Sequence, residues 1–173
     1  MRPNADAALI RQLARELARA ADDDTTVYLT GGATAVLHGW RDSTIDIDLR
    51  LEPDSDDLLR RIATVKDEIH VNVELVSPPD FIPEVPGWRE RSPFAFSEGR
   101  ITVRHFDPYS QALSKIWRGF QLDRADVKAM IDEGLVDPER LRELFEQIEP
   151  MLFRYPSLDA REFRAKVERT LRN

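Results

Sequence analysis

The stretch Tyr28 to Glu52, YLTGGATAVLHGWRDSTIDIDLRLE, limits what this chain can fold into more than any other part of it. A short apolar strand runs into Gly31-Gly32, and an Arg-x-Ser-Thr segment (Arg41, Ser43, Thr44) precedes a second strand carrying Asp46-Ile47-Asp48. Side chains alternate across a strand, so Asp46 and Asp48 leave one face while Ile47 and Leu49 leave the other. Two carboxylates so placed can both reach one divalent cation. Hard cations such as Mg²⁺ take oxygen ligands and usually meet a protein through one or two carboxylates plus substrate phosphates. Glycines upstream let backbone N–H groups approach a polyphosphate. Taken in this order, the segments read as a metal-dependent site for nucleotidyl transfer. The competing reading of Asp-x-Asp alone is a solvated strand face.

Composition narrows the setting. At 173 residues the chain is most simply one domain with a sizeable core. No apolar run is long enough for a membrane helix, and the N-terminal MRPNADAALIRQLARELARA reads as an amphipathic helix rather than a signal peptide. Without cysteine there is neither a disulfide framework nor a thiolate metal site. A cytoplasmic protein with no membrane partner is the expectation. The net charge of -7 argues against coating nucleic acid by bulk charge. It leaves room for a local basic groove, for which Arg89, Arg91, Arg100 and Arg104 are the candidates.

Periodicity predicts a helix over Asp6 to Ala20, a buried strand over Thr26 to Thr30 and a short helix over Ala33 to His38. The carboxylate strand spans Thr44 to Leu51, and Ser55 caps a helix running to about Glu68. His70 to Val76 alternates as a third strand. The prolines between Ser77 and Gly87 make an irregular connection. Phe94 to Phe96 and Ile101 to Phe106 form a hairpin turning at Glu98-Gly99, and four helices follow. These are Tyr109 to Arg118, Arg124 to Asp132, Pro138 to about Phe153 and Ala160 to Arg172, started by Asp107-Pro108, Asp137-Pro138 and Ser157 or Asp159. The expected class is α+β, α/β-like in its core: a small mixed sheet flanked by helices over 1–107, and a C-terminal helical bundle over 108–173 packed with it as one compact unit.

Further candidates follow from position. Glu74 sits on the polar face of the third strand with Asn72, and is either a third metal-binding carboxylate or a half-exposed strand residue. Two-metal chemistry favours a third acid. Lys115, one of four lysines against twenty-one arginines, shares a helix face with Arg118. It is either a donor to a pyrophosphate leaving group or a snorkelling surface lysine. Asp123 and Asp126 either orient these cations or charge a helix start. His38 is expected to pack behind the glycines, and no pair of histidines has metal-ligand spacing.

Gly31-Gly32, Arg41-x-Ser43-Thr44-x-Asp46-Ile47-Asp48 and the late SKIWRGFQLDRADV together resemble the minimal nucleotidyltransferases of the AbiEii and MenT toxin-like group, from about Tyr28 to the C-terminus. The resemblance implies a polymerase-β-like nucleotidyltransferase fold, Mg²⁺ or Mn²⁺, and an NTP such as ATP as donor. By position, it implies that Asp46 and Asp48 bind metal, that Lys115 serves the triphosphate and that Asp126 is the late active-site acid. Gly31, Gly32, Arg41, Ser43, Thr44 and Arg118 are the nucleotide-binding candidates, and Glu74 joins the metal set. The expected activity is transfer of NMP from NTP to a hydroxyl, with the tRNA 3′ end as acceptor. The setting would be a toxin–antitoxin system, with a cognate antitoxin or kinase as partner. Rival readings are the same chemistry on a protein or an antibiotic-like small molecule, and a nucleotide-binding or partner-binding module without catalysis.

Overall fold

The computed structural model describes residues 2–173, which form two compact units. One comprises the chain up to Ser77 together with Ser92–Phe106; the other comprises Pro78–Arg91 and Asp107–Asn173. The proline-rich segment thus folds with the helices. The protein is α+β.

The first unit contains α1 (Ala7–Ala20), β1 (Thr25–Thr30), α2 (Gly32–His38), β2 (Asp46–Glu52), α3 (Asp56–Glu68), β3 (Asn72–Glu74), β4 (Phe94–Glu98) and β5 (Ile101–His105). Its mixed sheet has the order β3-β2-β1-β5-β4. β1 is central, antiparallel to β2 and parallel to β5. Asp6 and Ser55 cap α1 and α3 by accepting from Leu9 N and Leu58 N. β2 alternates without a break: Ile47, Leu49 and Leu51 are buried, whereas Asp46, Asp48, Arg50 and Glu52 are only partly covered. The apolar set packs with Val27 and Leu29 of β1 against Leu13 and Leu17 of α1 and Leu58, Ile62 and Val65 of α3. Burying β2 on this side therefore fixes the other side as the one that carries the aspartates.

β3 is shorter than the alternation of His70 to Val76 predicts. His70 has a left-handed backbone (φ 55°), and the Val71 N–H bonds back to the Lys66 carbonyl at the end of α3, so pairing starts only at Asn72. As an edge strand β3 has one neighbour, β2, and Leu75 beyond it is exposed. The hairpin forms as expected, with a register shift between Phe94 and Phe96.

The second unit holds α4 (Pro108–Arg118), α5 (Gln121–Asp132), α6 (Pro138–Ile148) and α7 (Ala160–Arg172), with a 3₁₀ turn over Pro78–Asp80. Asp107, Asp137 and Asp159 start α4, α6 and α7 as N-caps. α6 ends at Ile148, short of the expected Phe153, and a 3₁₀ segment runs over Glu149–Arg154. Pro150 accounts for this, because it has no N–H to donate to the carbonyl four residues back and its ring crowds that carbonyl. Phe163 of α7 joins the bundle, 5.0 Å from the Phe145 ring and 5.4 Å from the Trp117 ring. Among the described residues, no helix is long and apolar enough to cross a membrane.

Candidate functional site

In the sheet unit, β1 delivers the glycine pair and β2 the aspartates. Gly31 has φ +63°, a conformation open to glycine and strained for other residues. A Cβ there would lie 2.7 Å from Asp48 Oδ2, so the backbone itself passes against the carboxylate. At Gly32 a Cβ would lie 2.1 Å from Thr44 Oγ1 and 3.4 Å from an Arg41 guanidinium nitrogen. Thr44 is buried, donates its hydroxyl to the Asp46 carbonyl (3.0 Å) and exchanges backbone hydrogen bonds with Ala5. Ser43 is partly covered, and its Oγ accepts from Asn4 Nδ2 at 3.3 Å. The Arg-x-Ser-Thr segment thus lies against the glycine turn and braces the start of the carboxylate strand.

Asp46 and Asp48 share a face, and the parallel pairing of β2 with β3 sets Asp46 opposite Asn72 and Asp48 opposite Glu74. The third carboxylate is thus in register beside the aspartates. The Asp46 and Glu74 side chains have no hydrogen-bond or ion-pair partner among the described residues, and Glu74 is exposed. Among those residues no three His, Asp or Glu side chains come close enough together to hold a metal ion. An oxygen-only donor pair on one strand face still fits a hard cation, which commonly takes one or two carboxylates and fills its shell with water and phosphate. A side chain at Gly31 would collide with the Asp48 carboxylate, so only glycine lets the backbone lie against the donor pair.

In the helical unit the late motif forms a chain of ion pairs. Lys115 is buried, with Nζ 2.7 Å from Asp126 Oδ2 and 3.7 Å from Asp123 Oδ1. Arg118 grips Asp123 with two nitrogens, at 2.7 and 2.5 Å. Asp123 also accepts from Phe120 N. Burial alone would raise the Asp123 pKa, but Arg118 and then Lys115 hold it below the ordinary value. Lys115 is therefore no snorkelling lysine, and both aspartates do orient the two cations.

Of the four arginines proposed for a basic groove, Arg91 and Arg104 are tied into the fold, while Arg89 and Arg100 stay largely exposed. Arg91 pairs with the fully buried Asp107 at 2.7 Å, Arg104 donates to the Ser92 carbonyl, Arg100 lies 3.7 Å from Asp24, and Arg89 stacks over Trp88. Arg89 and Arg91 precede the hairpin, and Arg100 and Arg104 lie on it. His38, the last residue of α2, stacks on Trp40 at 4.8 Å and lies 4.5 Å from the His105 ring. Sequence reading missed His105 itself: it is buried, its Nδ1 lies 3.2 Å from Thr34 Oγ1, and burial, then the nearby His38, lower its pKa to about 4.

A mixed α+β sheet with a glycine turn feeding an Asp-x-Asp strand is compatible with a nucleotidyltransferase-like fold. A family model described as "Nucleotidyltransferase of unknown function (DUF6036)" matches residues 8–172, and the chain belongs to that family. The match speaks for nucleotidyltransferases at large and does not single out the toxin-like group. No curated protein and no solved structure matches the chain.

Proposed function

We propose that this protein is a Mg²⁺-dependent nucleotidyltransferase that moves NMP from NTP to a hydroxyl acceptor. The observation that carries the reading is the carboxylate face of β2 and β3: Asp46 and Asp48 on one side of a strand, Glu74 in register, and the Gly31 backbone against Asp48. Asp46 and Asp48 would hold the cation, with Glu74 beside them. When bound, the metal supplies a Lewis acid that lowers the acceptor hydroxyl's pKa and offsets phosphate charge. The Gly31-Gly32 backbone, with Ser43, Thr44 and Arg41 behind it, positions phosphate. The acceptor oxygen bonds the α-phosphorus, the hydroxyl proton passes to water, and the bond from the α-phosphorus to oxygen of the leaving pyrophosphate breaks. The resemblance of the late motif would give Lys115 and Arg118 the triphosphate role, and within the helical unit Asp126 and Asp123 fix their orientation.

The tRNA 3′ end as acceptor, the toxin-like role, the antitoxin or kinase partner and the cytoplasmic setting rest on the resemblance of the three motifs. Arg91 and Arg104, tied into the fold, lend the tRNA reading no support. The test is incubation of the protein with labelled NTPs and separate pools of tRNA, protein and small molecules, with and without Mg²⁺. Label entering tRNA only with Mg²⁺ is the expected result. Label in another pool would move the acceptor, and nucleotide binding without transfer to any pool would reduce the protein to a binding module.

A further inference from the structure

The helical unit contains a cavity of about 580 Å³ among α4, α5 and α7, within the roughly 300–1,000 Å³ range of small-molecule sites. Six of its thirteen lining residues are Lys or Arg and one, Asp132, is acidic, in a chain whose net charge is -7. The cations come as three pairs, each on one helix and three or four residues apart: Lys115 with Arg118, Arg124 with Lys128, Lys166 with Arg169. Like charges at that spacing cost an isolated helix about 0.2–0.5 kcal/mol per pair, unless an anion offsets them. Protein acids offset part of the charge. Asp126 and Asp123 take Lys115 and Arg118, Asp132 takes Lys128, and Glu162 lies 3.3 Å from Lys166. Arg124 and Arg169 are exposed and make no ion pair among the described residues. Between the cations, Ile116, Val127 and Ile131 give the cavity an apolar lining.

We infer that this cavity is an anion site of the helical unit, taking a phosphorylated small molecule of mononucleotide size. Its phosphates meet Arg124 and Arg169, and its apolar body lies against Ile116, Val127 and Ile131. A phosphate supplies the multiple charge and the acceptor oxygens that two guanidinium groups need, and these groups match it with paired hydrogen bonds. A concave volume of this size, open on one side and with apolar side chains between its cations, suits a compact ligand better than an extended nucleic-acid backbone. The inference does not rest on the transfer reading. Lys115 and Arg118 belong to both, but the charges that define this site are Arg124 and Arg169, and binding here needs no metal.

The experiment is titration calorimetry of the full chain with ATP, adenosine and a single-stranded RNA oligonucleotide, in EDTA at low salt. The expected result is saturable ATP binding, no adenosine binding, and competition of ATP with any RNA bound. Arg124→Ala/Arg169→Ala should weaken ATP binding at least about tenfold, a loss of roughly 1.4 kcal/mol. Arg124→Lys/Arg169→Lys should recover much of it, and both double variants should unfold at the wild-type urea concentration. Asp48→Ala should bind ATP in EDTA as the wild type does. The inference is overturned by absent ATP binding, by unchanged affinity in the Ala double variant, or by RNA binding that ATP does not compete. Loss of binding in Asp48→Ala would also overturn it, while leaving the transfer reading standing. Failure of Mg²⁺-dependent transfer alone would leave the anion site untouched.

Discussion

The two units handle charge in opposite ways. On the sheet, Asp46 and Glu74 stand without a protein partner at positions that solvent reaches. In the helical unit the acids are buried and matched: Asp126 with Lys115, Asp123 with Arg118, and Asp107 with Arg91. A buried charge requires a partner, because its desolvation otherwise costs several kcal/mol, whereas a partly exposed carboxylate is stabilised by water at little cost. The helical pairs therefore hold their side chains in fixed positions, and Asp46 and Glu74 stay open to a ligand. Substitutions should separate the two: activity should fall at the sheet acids without loss of stability, and stability should fall at the buried pairs.

The largest expected effect is catalytic. Asp48→Ala should lower any Mg²⁺-dependent transfer by about 10³-fold or more, equivalent to at least roughly 4 kcal/mol of transition-state stabilisation. Its urea midpoint should stay near wild type, and labelled-transfer assays paired with denaturation curves would check both. The counterpart is Arg91→Ala. Asp107 is fully buried and also accepts from Tyr109 N, Ser110 N and Ser110 Oγ. Leaving it without its guanidinium should cost about 3–5 kcal/mol in chemical unfolding. A loss below about 1 kcal/mol would mean the pair is not structural.

A titration gives the third contrast. The His105 imidazole stays neutral in the folded chain down to about pH 4, while in the unfolded chain it takes up a proton near its ordinary value of about 6.5. Between those values the unfolded state binds more protons, so stability falls as pH drops from about 6.5 to about 4, by at most roughly 3 kcal/mol. Denaturation curves across that window should show the slope, and His105→Gln should flatten it. Gly32→Ala, which would press a methyl into Thr44, should cost about 1–3 kcal/mol in the same assay. The smallest effect is at Glu74, exposed and without a partner. Glu74→Ala should stay within about 0.5 kcal/mol of wild-type stability, and its effect on transfer reads directly whether the third carboxylate takes part.

What the sequence disclosed follows the range of the interactions. The alternation of β2, the caps at Ser55, Asp107 and Asp137 and the hairpin at Gly99 are set by residues a few positions apart, so patterning was enough to find them, and it narrowed the start of α7 to Ser157 or Asp159. The pairing of Lys115 with Asp126 was also within reach, because both lie in one short motif on adjoining helices. Arg91 and Asp107 are separated by the whole hairpin, and Thr34 by even more of the chain from His105, so no local pattern marks either contact. The same limit explains the arginines. Four of them close together in sequence suggested a groove, but closeness in sequence did not show that Arg91 and Arg104 would turn to a carboxylate and a carbonyl of the fold.

The central claim is that the sheet acids hold a metal-bound nucleotide, and calorimetry of MgATP on the wild type and on Asp46→Asn/Asp48→Asn tests it most directly. Each titration would be repeated in EDTA to subtract metal-independent binding. The account predicts a Mg²⁺-dependent component in the wild type that disappears in the double variant, with the urea midpoint unchanged. A Mg²⁺-dependent affinity that survives both substitutions would contradict it.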